Sequence, residues 1–240
     1  MNEVKPYNTS KNKKAEVEVM FDNIAANYDL LNRVLSFGID KAWRKKLIKM
    51  IAANKPHSLL DVATGTGDVS ILAAKQIPDI QITGVDLSQK MIDIGKKKLI
   101  KLGLDNILLT KGESESLPFD SQSFDAVTVA FGVRNFGDLD KGLSELNRVL
   151  NNHGHVGVLE FSKPKSMIFS KLYNFYFQYI LPKIGNYTSK DMRAYTYLYE
   201  SVQQFPDGQA FIDRLSNAGF KNIQQKRLFS GICTIYIGQK

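Results

Sequence analysis

The sequence predicts a doubly wound α/β domain, and three observations carry that reading. From residue 58 onward, short apolar runs alternate with stretches of helical periodicity. Strands separated by helices of about 10–15 residues form right-handed βαβ units and a parallel sheet. The first of these strands runs into a glycine-containing turn and then a helix, the arrangement at which open α/β sheets bind ligands. The last two apolar runs are separated only by Phe229-Ser230-Gly231 and read as an antiparallel pair.

Ahead of the sheet, Val17, Met20, Phe21 and Ile24 recur at helical spacing, as do Leu30, Leu31, Val34 and Leu35. Phe37-Gly38-Ile39-Asp40 interrupts the pattern, with Gly38 suited to a turn and Asp40 to an N-cap. Helical spacing resumes from Trp43 to Ile51. The expected strands are Ser58 to Leu60, Ile80 to Val85, Ile107 to Leu109, Phe124 to Ala130 and Val156 to Phe161. Helices over Val69 to Gln76, Met91 to Leu102 and Leu139 to Leu150 alternate with them. Phe211 to Ala218 forms one more helix, closed by Gly219. Strands Ile223 to Leu228 and Ile232 to Ile237 complete the sheet. The chain thus reads as one domain: an N-terminal helical cap (1–54), a binding core (55–161), a helical insert (162–205), and a C-terminal helix with an antiparallel hairpin (206–240).

A chain of 240 residues with 43% hydrophobic and 23% charged side chains is a soluble globular protein. Collagen-like, low-complexity and disordered readings are excluded. The longest apolar candidate, Ile168 to Leu181, is broken by Lys171, Asn174 and Gln178, so no membrane span is expected. The polar N-terminus lacks the apolar stretch of a signal peptide. Cys233 is the one cysteine, which excludes a disulfide and a thiolate cluster and suits a reducing cytoplasm. His57, His153 and His155 read as incidental turn residues, and no metal is expected. The net charge of +8 would attract nucleic acid, anionic lipid or acidic ligands, or would simply keep the protein soluble. Lys5, Lys11, Lys13 and Lys14 read as a mobile tail; Lys96, Lys97, Lys98 and Lys101 read as one solvated helix face.

The strongest local signal is Leu60-Asp61-Val62-Ala63-Thr64-Gly65-Thr66-Gly67-Asp68. Glycines there let the backbone approach a ligand where a Cβ would intrude, although a purely structural turn uses the same residues. A dinucleotide fingerprint would need a third glycine where Ser70 stands. Asp61 sets a carboxylate beside the loop. Asp86 closes the second strand, where a carboxylate can accept both hydroxyls of a ribose; its competing role is a helix N-cap, which Ser88 would equally supply. Gly112-Glu113-Ser114 follows the third strand, the position for an adenine amino group. The ensemble reads as a nucleoside site.

This arrangement resembles class I S-adenosylmethionine-dependent methyltransferases, a Rossmann-like fold. Longer motifs narrow the likeness. Met20-Phe21-Asp22-Asn23-Ile24-Ala25, Tyr28-Asp29-Leu30-Leu31-Asn32 and Trp43-Arg44 lie upstream. Phe131-Gly132-Val133-Arg134-Asn135-Phe136 and Leu159-Glu160-Phe161-Ser162-Lys163-Pro164 follow strands four and five. Leu181-Pro182, Ile184-Gly185 and Tyr195, Tyr197-Leu198 and Glu200-Ser201-Val202 lie downstream. From about residue 17 to 238 the chain resembles the ubiquinone/menaquinone biosynthesis C-methyltransferase family.

The resemblance implies S-adenosylmethionine as cofactor and a polyprenylated quinol as substrate, methylated at a ring carbon. It assigns Gly65, Thr66 and Gly67 to the cofactor loop, Asp86 to the ribose and Glu113-Ser114 to the adenine. Ala130 stands where ubiquinone-type relatives often have Ser, so a hydroxyl contact is lost there. With Thr64-Gly65-Thr66-Gly67, this leans toward menaquinone-only relatives and demethylmenaquinol. Arg134 is expected to support the developing phenolate, and Asn135 to orient a water or ring hydroxyl. Asp68 and Tyr28 are weaker candidates for proton handling. An aromatic insert rich in Phe169, Tyr173, Phe175, Tyr176, Phe177 and Tyr179 suggests a lid over the site, peripheral membrane contact, or ordinary helix packing. Two rivals remain. A nucleic-acid methyltransferase would explain the charge, but the Pro-Pro-aromatic signature expected after strand four reads Ala130-Phe131-Gly132-Val133. A non-enzymatic quinone or membrane adaptor would use the aromatic insert alone.

Overall fold

The computed structural model describes residues 4–164 and 192–240. The sheet holds seven strands: β1 (Ser58–Val62), β2 (Gln81–Asp86), β3 (Ile107–Lys111), β4 (Phe124–Ala130), β5 (Leu150–Phe161), β6 (Lys221–Leu228) and β7 (Cys233–Gln239). Their order is β3-β2-β1-β4-β5-β7-β6. Pairing is parallel from β3 through β5 and antiparallel at β5–β7 and β6–β7, as the terminal hairpin predicts. Strand order reverses between β1 and β4, so the loops leaving their carboxyl ends splay apart and open a crevice.

Helices cover both faces. α1 (Lys13–Ile24), α2 (Tyr28–Leu35) and α3 (Asp40–Ala52) precede the sheet. α4 (Asp68–Gln76), α5 (Gln89–Leu102) and α6 (Leu139–Val149) lie between its strands; α7 (Met192–Gln204) and α8 (Gln209–Asn217) follow β5. One core layer joins Leu47 and Ile51 of α3, Val69 of α4 and Ile92 of α5 to the sheet; the opposite layer uses Leu143 and Leu146 of α6 with Phe211 and Leu215 of α8. Covered on both faces, β1 is buried from Leu59 to Val62, which is why its sequence is a run and not an alternation. The edge strand β3 does alternate.

Several expectations need correction. Asp40 is not an N-cap: it is the first residue of α3, buried, and ion-paired to Arg44 one turn later. β5 begins at Leu150, directly after α6, so His153 and His155 lie inside a strand. The N-terminal lysines are not all a loose tail. α1 starts at Lys13, capped by the Asn12 side chain accepting from Ala15 N at 2.9 Å. The buried Glu16 carboxylate accepts from the Tyr7 and Thr9 amides at 2.7 and 2.6 Å, tying down the preceding segment. Burial opposes that charge, but the Thr9 hydroxyl and the backbone amides outweigh it and hold the carboxyl below its usual range. The aromatic run Phe169 to Tyr179 lies outside the described residues; α7 is the described part of the insert. Among the described residues, no helix is long and apolar enough to cross a membrane.

Candidate active site

The loop after β1 is shaped by its glycines and by the carboxylate beneath it. Gly65 and Gly67 take φ of +58° and +81°, a region open to glycine at little cost. Thr64 N donates to Val85 O at 3.0 Å and Gly67 N to Thr64 O at 3.0 Å, folding the loop back on β2. Asp61 lies below, 1% exposed. Its carboxylate accepts from Thr64 Oγ1 at 2.6 Å, Ser70 Oγ at 2.8 Å and Thr128 Oγ1 at 2.8 Å. Burial pushes this carboxyl up, and the three hydroxyls counter that. Asp61 therefore organises the loop and lies outside the cavity wall, contrary to the direct cofactor contact expected of it. Ser70, standing where a dinucleotide site would need glycine, is one of its three supports.

Asp86 ends β2 and faces the cavity. Oδ2 accepts from Gly65 N at 2.8 Å and Oδ1 from Ser88 N at 2.9 Å. A carboxylate has about four acceptor positions, so a position on each oxygen stays open for a ligand. The N-cap alternative falls away, because Ser88 caps α5 by accepting from Met91 N at 3.2 Å. Burial pushes the Asp86 carboxyl up to about 6, against the pull of the two amides.

Around this carboxylate lies a cavity. Gly65, Asp86, Glu113, Ser114 and Ala130 border it, together with Tyr28 and Asn135. Thr66, Gly67, Asp68 and Arg134 do not. Thr66 Oγ1 instead donates to Asp29 Oδ1 at 2.6 Å, which links the glycine loop to α2. Asp68 is paired with Lys98 and lies 3.6 Å from Arg44. Burial works against its charge, but the two cations win and hold the carboxyl below its usual range. A carboxylate so held is a poor proton acceptor. Lys98 also bonds Asp29 Oδ2 at 2.9 Å, so it is not part of a purely solvated face.

Arg134 is placed differently from the sequence expectation. Its Nη1 donates to Glu160 Oε1 at 2.8 Å and to Phe131 O at 2.6 Å, and its guanidinium lies 5.5 Å from the Phe161 ring centre. Glu160 is fully buried; burial pushes its carboxyl up and Arg134 pulls it down. The arginine thus neutralises a carboxylate behind the wall and does not itself border the cavity. Its neighbour Asn135 does border the cavity. This side chain is 8% exposed, and its Nδ2 donates weakly to Phe131 O at 3.5 Å. Its Oδ1 has no donor among the described residues. A buried acceptor left unpaired costs about 1–3 kcal/mol, which a ligand donor would recover. Tyr28 borders the cavity from α2, its ring against Gly65 and 5.9 Å from Phe21 in an edge-to-face pair. Burial pushes its phenol up, so at neutral pH it is a hydrogen-bond donor, not a base.

The helical cap supplies wall residues that the motifs did not reveal. Lys14, Val17 and Phe21 line the cavity from α1, and their spacing, i, i+3 and i+7, marks one helical face. Lys14 pairs with Glu113, so one oxygen of that carboxylate is already engaged. Lys13 Nζ donates to the carbonyls of Arg134 and Phe136 at 3.1 and 2.9 Å. The loop after β4 approaches closely too: a Cβ on Gly132 would lie 2.5 Å from the Cβ of Ala63. The cavity fits a nucleoside carrying a sulfonium. Asp86 has open acceptor positions, Asn135 Oδ1 needs a donor, and aromatic rings and carboxylates favour a cation.

Comparison with known proteins agrees with this geometry. Residues 8–240 match the model of the ubiE/COQ5 methyltransferase family. The chain is 43% identical to demethylmenaquinone methyltransferase of Bacteroides fragilis, over 99% of this chain and 97% of that one. It is 44% identical to the ubiquinone/menaquinone biosynthesis C-methyltransferase of Citrifermentans bemidjiense, over 95% of this chain and 97% of that one. A SAM-dependent methyltransferase structure from Thermotoga maritima superposes with a TM-score of 0.66 at 18% identity, over 93% of this chain and 99% of that one, and so shares the fold. With its motifs, sheet order and nearly full-length likeness in agreement, the chain belongs to the ubiE/COQ5 methyltransferase family.

Proposed function

We infer that the protein transfers the methyl group of S-adenosylmethionine to a ring carbon of a polyprenylated quinol, converting demethylmenaquinol to menaquinol. The observation that carries this reading is the likeness to demethylmenaquinone methyltransferase over 99% of the chain. The cofactor supplies an electrophilic methyl group on a sulfonium. The acceptor is the reduced ring, because a hydroxyl donates electron density to its neighbouring carbon whereas a quinone carbonyl withdraws it.

In this reading Asp86 holds the ribose hydroxyls, Gly65 lets the backbone come close, and Glu113 and Ser114 lie at the adenine edge. Ala130 packs against the cofactor without a polar contact. Asn135 Oδ1 accepts from a ring hydroxyl and fixes the ring's orientation, with Tyr28 donating from the opposite wall. Phe21, Phe131 and Phe136 border the same space and exclude water, so the main contribution is alignment in a dry site. Arg134 acts through Glu160 and the loop after β4. The lipid-soluble tail of the substrate sets the reaction at the cytoplasmic face of a membrane.

The test is methyl transfer from labelled S-adenosylmethionine to chemically reduced polyprenyl naphthoquinol, with the matching benzoquinol and the oxidised quinone alongside. Methylated naphthoquinol alone supports the menaquinone reading. Product from both quinols makes the enzyme bifunctional, a second reading favoured by the 44% identity to the Citrifermentans bemidjiense protein, which is named for both quinones. No product from either quinol, with cofactor binding demonstrated, would refute the substrate class.

A further inference from the structure

We propose that Lys13 is a positioning residue for the acceptor: it seats Asn135 and, through it, the ring that is methylated. The identity of that ring rests on the quinol reading; the seating of Asn135 can be measured without it.

The first turn of α1 departs from a local rule. A helix N-terminus presents amide hydrogens and disfavours cations, yet α1 opens with Lys13 and Lys14. Where a sequence departs from local preference, a tertiary contact or a functional role decides. Consecutive helical positions lie about 100° apart around the axis, and the two lysines diverge accordingly. Lys14 pairs with Glu113 after β3, whereas Lys13 reaches the loop after β4.

That loop satisfies most of its own main chain. Phe131 O accepts from Arg134 Nη1 at 2.6 Å. Gly132 O accepts from Asn135 N at 2.9 Å and Val133 O from Phe136 N at 3.3 Å, which forms the short turn Val133–Asn135. A helical turn leaves its last carbonyls without a partner inside it. Lys13 Nζ takes two carbonyls at this end, Arg134 O at 3.1 Å and Phe136 O at 2.9 Å. They belong to the residues on either side of Asn135. One ammonium, brought from the helical cap, thus clasps the chain before and after Asn135.

The side chain so clasped carries the unused acceptor. Asn135 borders the cavity and is nearly buried, and its Oδ1 has no donor among the described residues. Its Nδ2 meets Phe131 O only at 3.5 Å, so the place of the side chain depends on its backbone. A buried acceptor left over in a loop whose other groups are paired calls for a ligand donor, and a ring hydroxyl supplies one. Alignment governs the rate of transfer, and a displacement of about 1 Å can cost about 100-fold. Lys13 does not border the cavity, whereas Lys14 does. Lys13 therefore acts on where Asn135 stands and not on the ligand itself.

The experiment compares the full-length wild type with Lys13→Met, Lys14→Met and Asn135→Ala. Hydrogen exchange of the ligand-free proteins, read by mass spectrometry, should be faster at residues 131–137 in Lys13→Met. It should match the wild type there in Lys14→Met, because Lys14 reaches a different loop. With reduced naphthoquinol, Lys13→Met should lower kcat/KM about 10- to 100-fold. Its affinity for S-adenosylmethionine by calorimetry should stay within about twofold of the wild type, the scatter expected of an independent site. Added to Asn135→Ala, Lys13→Met should lower kcat/KM by no more than about twofold further. A lysine with a general structural role would instead add its full loss and weaken cofactor binding as well. Wild-type exchange at residues 131–137 in Lys13→Met, equal acceleration by Lys14→Met, or full addition of the two losses would each overturn the proposal. If the wild type methylated neither quinol, the quinol reading would fail, and the exchange comparison alone would decide whether Lys13 seats Asn135.

Discussion

Replacing Asp86 with asparagine separates what this carboxylate costs the fold from what it does for the ligand. Burial raises the folded-state value to about 6 from an ordinary 3.8. The folded protein therefore holds this proton more tightly than the unfolded chain does. Stability from this group is fully present below pH 3.8 and is lost as pH rises to 6, at about 1.4 kcal/mol per pH unit. Over that window the loss amounts to about 3 kcal/mol. Urea unfolding of wild type and Asp86→Asn between pH 4.5 and 8 should give a stability difference that shifts against the wild type as pH rises to 6 and is flat above it. Cofactor binding runs the other way, because only the ionised carboxylate accepts two hydroxyls. Affinity should fall about tenfold per pH unit below 6, with close to one proton released on binding at pH 5 and almost none at pH 7.5. Calorimetry in buffers of different ionisation enthalpy measures that proton. A cofactor affinity that is flat from pH 5 to 8, or proton release that persists in Asp86→Asn, would refute the reasoning.

Three other variants test the supports around the site. Arg134→Met should cost about 3–5 kcal/mol, because it leaves the Glu160 carboxylate buried and unpaired; Arg134→Met with Glu160→Gln should recover most of it in urea unfolding. Unchanged stability with turnover abolished would return Arg134 to a catalytic role. Lys98→Met removes the cation shared by Asp29 and Asp68. A partly exposed network of this kind is worth about 1 kcal/mol, so stopped-flow should show cofactor leaving about fivefold faster, and high salt should do the same to the wild type. Gly132→Ala forces a Cβ to 2.5 Å from that of Ala63 and should cost about 1–3 kcal/mol by overpacking. Adding Ala63→Gly should restore stability, and failure to do so would show that the strain lies elsewhere.

The sheet was legible because each strand obeys a local rule. β4 has the bounds its apolar run predicts, and β1 to β3 differ from expectation only in length at their ends. The glycine loop and Asp86 were legible for the same reason: the end of a strand in this topology must face the crevice. What the sequence left open are roles that depend on side-chain partners distant in the chain. Nothing local distinguishes an arginine facing a ligand from one facing Glu160, 26 residues later. Asp61 and Thr66 belong to the loop motif, yet Asp61 also accepts from the distant Thr128 and Thr66 donates to Asp29. Lys13 and Lys14 looked like tail charge because a basic N-terminus has many uses, and only their contacts with the loops after β3 and β4 show which one applies.

Those contacts form a pattern across the carboxyl edge. The loop after β1 is bonded to the cap through Thr66 and Asp29, the loop after β2 through Ser88 and Asp22 at 2.5 Å, the loop after β3 through Glu113 and Lys14, and the loop after β4 through Lys13. Each of these four loops is thus tied to α1 or α2 by at least one polar contact. An apolar seal of equal area would hold the cap shut, since each fully buried leucine-sized side chain contributes about 1.5–3 kcal/mol. Partly exposed polar ties contribute about 0–1 kcal/mol each. Ties of that strength couple the loops to the cap without locking them to it. α1 is itself held by apolar packing, since Val17 and Met20 are buried with Ala194 and Tyr197 of α7, so the polar ties fix how the loops follow the cap and not how firmly the cap is seated.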